Sequence, residues 1–146
     1  MLKQTIQSQT NDALKAADKS KLNVLRFVLS LINYAEIDKK TELTDDEIVS
    51  LLQKEVKKRL DAIEMFKKGG RIEGIAEEEK QIAVIKTFLP AQISSEELEK
   101  IVNETIISAG PNPQIGKVIG AVMAKVKGKA DGGMVASLVK QKLIPV

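Results

Sequence analysis

The chain has no cysteine and no histidine. Thiol nucleophiles, disulfides, imidazole acid–base chemistry and the usual zinc sites are excluded with them. Tryptophan is absent too, and one tyrosine and three phenylalanines are the whole aromatic complement. A core must therefore be built from Leu, Ile, Val, Ala and a few Met. Glycine and proline are scarce, nine and four in 146 residues, which favours helices over turn-rich β architecture. No apolar run is long enough to span a bilayer, and no secretory hydrophobic segment opens the chain. These absences lead to the expectation of an all-α cytoplasmic protein with no membrane partner and no metal.

Charge is nearly balanced overall, at +3, but it is unevenly placed. Residues 110–146 hold six lysines, at 117, 125, 127, 129, 140 and 142, against the single Asp131. Such a basic end suits a polyanion, although a solvated lysine surface accounts for it equally well.

Helical periodicity is continuous enough to order the chain. A first helix is predicted from about Leu2 to Ala17, with Asp18-Lys19 as the break. The stretch from Leu22 to Ala35 is apolar at ten of fourteen positions, the pattern of a central helix buried nearly all round. Thr44 and Glu47 form a capping box at the start of a long helix that stops at Gly69-Gly70. Within its apolar face Glu55 and Arg59 are four residues apart, the spacing of a structural ion pair. A fourth helix is predicted over about Ile72–Phe88, with Glu77-Glu78-Glu79 near its positive end.

PAQISSEE, residues 90–97, then reads as a hinge, with Ser94 and Glu97 as a second capping box. Three shorter helices follow, over about 95–108, 115–127 and 134–143. The expected organisation is thus an N-terminal four-helix domain, residues 1–93, and a small three-helix C-terminal domain, residues 94–146.

Familiar catalytic signatures fail on inspection. Gly110…Gly116-Lys117 has one residue too many for a phosphate-binding loop, and Val118 stands where a magnesium-binding Ser or Thr is needed. Ser94-Ser95 resembles an amidase serine pair, but capping explains both positions. No catalytic residue and no cofactor site emerge.

The predicted helix from Ile115 is more informative. Ile115, Val118, Ile119, Val122, Met123 and Val126 make an apolar stripe. Lys117, Gly120, Ala121 and Ala124 line the opposite side, flanked by Lys125 and Lys127. Glycine inside a helix costs roughly 1 kcal/mol relative to alanine, so Gly120 calls for a reason. Close packing of another helix and close approach of RNA both supply one. In the following KGKADGG, residues 127–133, Gly128 fits a helix C′ position, Asp131 an N-cap, and Gly132-Gly133 a loosened first turn.

The run Gly116–Met123, then Lys127–Gly132 with Val135, Leu138, Val139 and Leu143, resembles the GatB/YqeY domain. Ala13–Arg26, Leu52–Arg71 and Phe88–Ser94 resemble the amino-terminal part of YqeY-like proteins, so the likeness spans essentially the whole chain. The C-terminal residues are similar to the tail of the B subunit of the tRNA-dependent amidotransferase, a glutamine-using carbon–nitrogen ligase. What this resemblance implies is an all-helical protein whose tail holds tRNA or another structured RNA. Lys117, Lys125, Lys127 and Lys129 would be the contacts, with Gly116 and Gly120 allowing close approach. An aminoacyl-tRNA synthetase or amidotransferase complex is the implied protein partner. The subunit's catalytic cradle is missing, so ligase activity attaches to the family and not to this chain acting by itself. The alternative left open is a protein–protein adaptor that takes a partner helix on the Gly/Ala face.

Overall fold

The computed structural model describes residues 1–144. Among them are seven α-helices and no strand: α1 Leu2–Lys15, α2 Lys19–Lys39, α3 Asp45–Lys68, α4 Ile75–Lys86, α5 Ser95–Ser108, α6 Ile115–Val126 and α7 Gly132–Leu143. The all-α class expected from composition is what the chain adopts. It separates into two compact units, Met1–Leu89 and a second that begins at Pro90. Positions 145 and 146 of the expected 94–146 range lie outside the described residues.

In the first unit the aliphatic residues meet as their periodicity requires. Ile6 and Ala13 of α1, Val24, Leu25, Val28 and Ile32 of α2, Ile48, Leu52 and Ile63 of α3, and Ile82 and Ile85 of α4 share one core. Each fully buried Leu, Ile or Val side chain contributes about 1.5–3 kcal/mol. The α3 capping box forms in both directions: Glu47 N–H donates to Thr44 Oγ1 at 3.2 Å and Thr44 N–H donates to Glu47 Oε2 at 2.7 Å. The start of α1 is held differently, by the α-amino group of Met1 and the N–H of Leu2 on the Asp45 carboxylate at 3.1 and 3.0 Å. Those two donors keep the Asp45 pKa below its ordinary value.

Two sequence expectations need correction here. The second helix is not enclosed: its buried residues lie on one side, while Phe27, Tyr34 and Ile37 are exposed. Within this unit α1, α3 and α4 pack against it, and its buried residues face them. The fourth helix starts at Ile75 rather than Ile72, because Gly74 takes a left-handed φ of 84° immediately before it. Asp18, read as a break, is also an N-cap: its carboxylate accepts from Lys21 N–H at 3.2 Å.

Glu55 and Arg59 form the ion pair that their spacing suggested, with Arg59 Nε donating to Glu55 Oε1 at 2.9 Å. Arg59 Nη1 also donates to Glu78 Oε2 at 3.1 Å and Gln81 Oε1 at 2.7 Å. Its guanidinium lies 5.2 Å from the Phe27 ring centroid, so α2, α3 and α4 converge on one planar cation. This explains how α3 carries two charged groups on an apolar face: the carboxylate is compensated where it is buried.

In the second unit Leu98 and Val102 of α5, Val118, Val122 and Val126 of α6, Val135 and Val139 of α7, and Ala130 make the core. Ser94 caps α5 by accepting from Glu97 N–H at 3.1 Å. Gly132 lies within the first turn of α7, which therefore begins two residues before the expected Met134.

Candidate functional site

The apolar stripe of α6 fixes the orientation of the whole helix. With Val118, Val122 and Val126 buried, the 100° step per residue turns Gly116, Lys117, Gly120, Ala121 and Ala124 outward. All five are exposed. A β-carbon placed on Gly116 or Gly120 would meet nothing within 4 Å. Close packing inside this unit is thus not what Gly120 serves.

The structure sorts the six sequence-selected residues into three places. Lys117, Ala121 and Lys125, at i, i+4 and i+8, form one edge of a groove. Its other walls are Thr105, Ser108 and Ala109 at the end of α5 and Asn112 and Gln114 from the connection to α6. Gly116 and Gly120, with Ala124, form a smooth ridge beside that edge. Lys127 and Lys129 stand beyond the helix, in the turn leading to α7.

Lys125 is the best positioned of the cations. Its Nζ donates to Thr105 Oγ1 at 3.0 Å, and that hydroxyl donates onward to the Ile101 carbonyl at 2.7 Å. Thr105 is buried, so the ammonium is held by a fixed neutral partner, and among the described residues no carboxylate pairs with it. Lys117, Lys127 and Lys129 have no ion-pair partner among the described residues. Lys142, by contrast, is paired with Glu99 at 2.6 Å.

The groove has a volume of about 450 Å³, and no carboxylate and no aromatic ring line it. Thr105, Ser108, Asn112 and Gln114 went unnoticed in the sequence. They are ordinary polar residues whose only signal was the connection Gly110-Pro111-Asn112-Pro113, where Gly110 has a left-handed φ of 87°.

The turn that carries Lys127 and Lys129 is held from two sides. Gly128 takes a φ of 78° directly after the C-cap Lys127, as a C′ glycine does. Lys129 N–H donates to the Val126 carbonyl at 2.7 Å, and the Lys129 carbonyl accepts from Ile93 N–H at 2.8 Å. Asp131 occupies the N-cap position of α7 without a side-chain cap hydrogen bond to that helix. Gly128 is accounted for by the chain's own geometry, Asp131 lacks the capping hydrogen bond to α7 expected of it, and the turn's lysines are carried on pinned backbone.

Among the described residues no group of three or more acidic side chains could hold a metal ion. Glu77 and Glu78 instead have partners, Ser20 and Gln81 for the first and Arg59 for the second. The hydrogen bonds from Ser20 and Gln81 hold the Glu77 pKa below its ordinary value. Among the described residues no helix is long and apolar enough to cross a membrane.

The profile of the YqeY-like proteins matches residues 3–143. An uncharacterized protein of Schizosaccharomyces pombe, C22F3.15, is 35% identical over 94 residues, which cover 64% of this chain and 76% of that protein. The altered inheritance of mitochondria protein 41, mitochondrial, of Pyrenophora tritici-repentis is 26% identical over 129 residues, covering 86% of this chain and 71% of its own length.

Proposed function

The chain belongs to the YqeY-like protein family, and from that premise we propose that it is an accessory RNA-binding protein. Its C-terminal three-helix tail domain, residues 94–146, holds a structured RNA, with tRNA as the foremost candidate. The observation that supports this most is Gly120. It is exposed in the middle of α6 with open space above it, and uncompensated lysines stand on both sides. A helix face needs no glycine to meet water, whereas a bulky polyanion approaching the backbone needs both the bareness and the cations. The shortage of aromatic rings favours recognition of a folded RNA's backbone over base stacking.

In this reading Lys117 and Lys125 contact phosphates along α6, and Lys127 and Lys129 do so from the pinned turn. The protein acts in trans with an aminoacyl-tRNA synthetase or amidotransferase complex and brings no catalytic group of its own. The cytoplasm is its proposed location; one relative bears the word mitochondrial in its name, and tRNA is present in either place.

The test is filter binding of tRNA across a salt series. Each phosphate contact contributes about 0.9 to the slope of log affinity against log salt for a duplex, so replacing all four lysines with Gln lowers that slope by about 3 to 4. The helical circular dichroism of the variant is expected to stay at the wild-type level. Wild-type affinity in the quadruple variant rules the assignment out. A protein–protein adaptor, the other use of a Gly/Ala ridge, would show itself as partners that survive nuclease treatment alongside undetectable RNA affinity.

A further inference from the structure

The groove between α5 and α6 carries chemistry that phosphate attraction alone leaves unused. Ser108, Asn112 and Gln114 line it together with Lys117 and Lys125. None of the three makes a side-chain hydrogen bond within the described residues. A serine hydroxyl and the amides of Asn and Gln each offer a donor and an acceptor. The ribose 2′-hydroxyl is likewise both donor and acceptor, and it is the group by which a protein tells RNA from DNA.

We infer that this groove seats one ribose–phosphate unit of an RNA backbone, with Ser108, Asn112 and Gln114 on the 2′-hydroxyl and Lys117 and Lys125 on the adjoining phosphate. The inference rests on the RNA-binding reading above and adds what that reading leaves open, a reason for RNA to be preferred over DNA. Lysine–phosphate attraction draws both nucleic acids alike. The groove's volume of about 450 Å³ falls within the roughly 300–1,000 Å³ typical of small-ligand sites. Ala109 and Ala121 each add no more than a methyl group to its lining. The absence of any ring in the lining removes base stacking, so the expected selectivity is for the sugar and not for the sequence. The lysine Nζ of residue 125, fixed on the buried Thr105, gives the phosphate a defined position relative to the amides.

Fluorescence anisotropy of the full chain with three hairpins of one sequence tests this. The probes are RNA, DNA, and RNA bearing 2′-O-methyl groups, which keeps the A-form shape and removes the 2′ donor. At about fivefold for one net hydrogen bond, the RNA hairpin binds about five- to tenfold tighter than the methylated one. The double variant Asn112→Ala/Gln114→Ala is expected to lose that preference while its affinity for the DNA hairpin is unchanged. Both side chains are exposed, and circular dichroism checks that the fold is retained. Equal affinity of the wild type for the RNA and methylated hairpins overturns the inference, as does a preference that survives in the double variant. Either result leaves the phosphate-binding reading standing. Failure of the wild type to bind any of the three hairpins removes the RNA reading itself, and the inference with it.

Discussion

Replacing Gly120 separates what the fold requires from what a partner requires. The residue lies in the interior of α6, with no atom within 4 Å of a β-carbon built on it. Gly120→Ala therefore creates no clash, and the gain is the difference in helix propensity, about 0.8–1 kcal/mol. In a unit of this size 1 kcal/mol raises the melting temperature by about 4–8 °C. Gly120→Gln, which introduces a good helix former with a long polar side chain, is expected to stabilise nearly as much. Both substitutions should weaken tRNA binding, Ala by a few-fold and Gln by more than about tenfold. A side chain placed between two close surfaces costs about 1–3 kcal/mol where it cannot be accommodated. The assays are thermal unfolding by circular dichroism and filter binding on the same samples. A lower melting temperature would mean that α6 is covered where it is described as open. Unchanged affinity in Gly120→Gln would mean that the bare ridge is not where RNA lies.

Two further outcomes test the first unit. Arg59→Met strands the buried Glu55 carboxylate, and breaking a buried pair from one side costs about 3 kcal/mol or more; the double variant Glu55→Met/Arg59→Met is expected to recover most of this in urea denaturation. A single variant no less stable than wild type would show that the cluster is not coupled. The Glu36 carboxylate takes Lys3 Nζ at 2.6 Å and Leu43 N–H at 3.2 Å, and these hold its pKa below the ordinary 4.5. A lowered folded-state pKa stabilises above the unfolded value and is lost as pH falls through the folded one. Glu36→Gln is thus expected to melt below wild type at pH 7 and to converge with it as the pH drops below 4.5. A gap of the same size at pH 3 would contradict that origin.

Local chemistry was legible in the sequence wherever a few neighbouring residues decide it. Thr44 and Glu47 announced their helix start, Gly128 its helix stop, and the α6 stripe its buried side. Glu55 and Arg59 were readable as a pair because they share a helix face. Their remaining partners, Glu78, Gln81 and Phe27, were not, since these come from other helices and no spacing along α3 points to them. The same holds for the groove. Lys117 and Lys125 stood out as cations, but Thr105, Ser108, Asn112 and Gln114 acquire significance only once the end of α5 lies beside α6. The exposure of Phe27, Tyr34 and Ile37 on α2 was hidden for a related reason. An apolar sequence states what could be buried, while the number of neighbouring helices decides how much is.

The hydrogen bond from Ile93 to Lys129 bears on how portable the basic module is. Gln92 Nε2 also reaches the Gly128 carbonyl, at 3.4 Å, so the two residues just ahead of the Ser94 cap belong to the turn that presents Lys127 and Lys129. A tail transplanted onto another protein from Ser94 onward would keep its three helices and lose the brace on that turn. Begun at Pro90, it carries the brace with it. The smallest transferable unit is set by a backbone contact and not by the first helical residue.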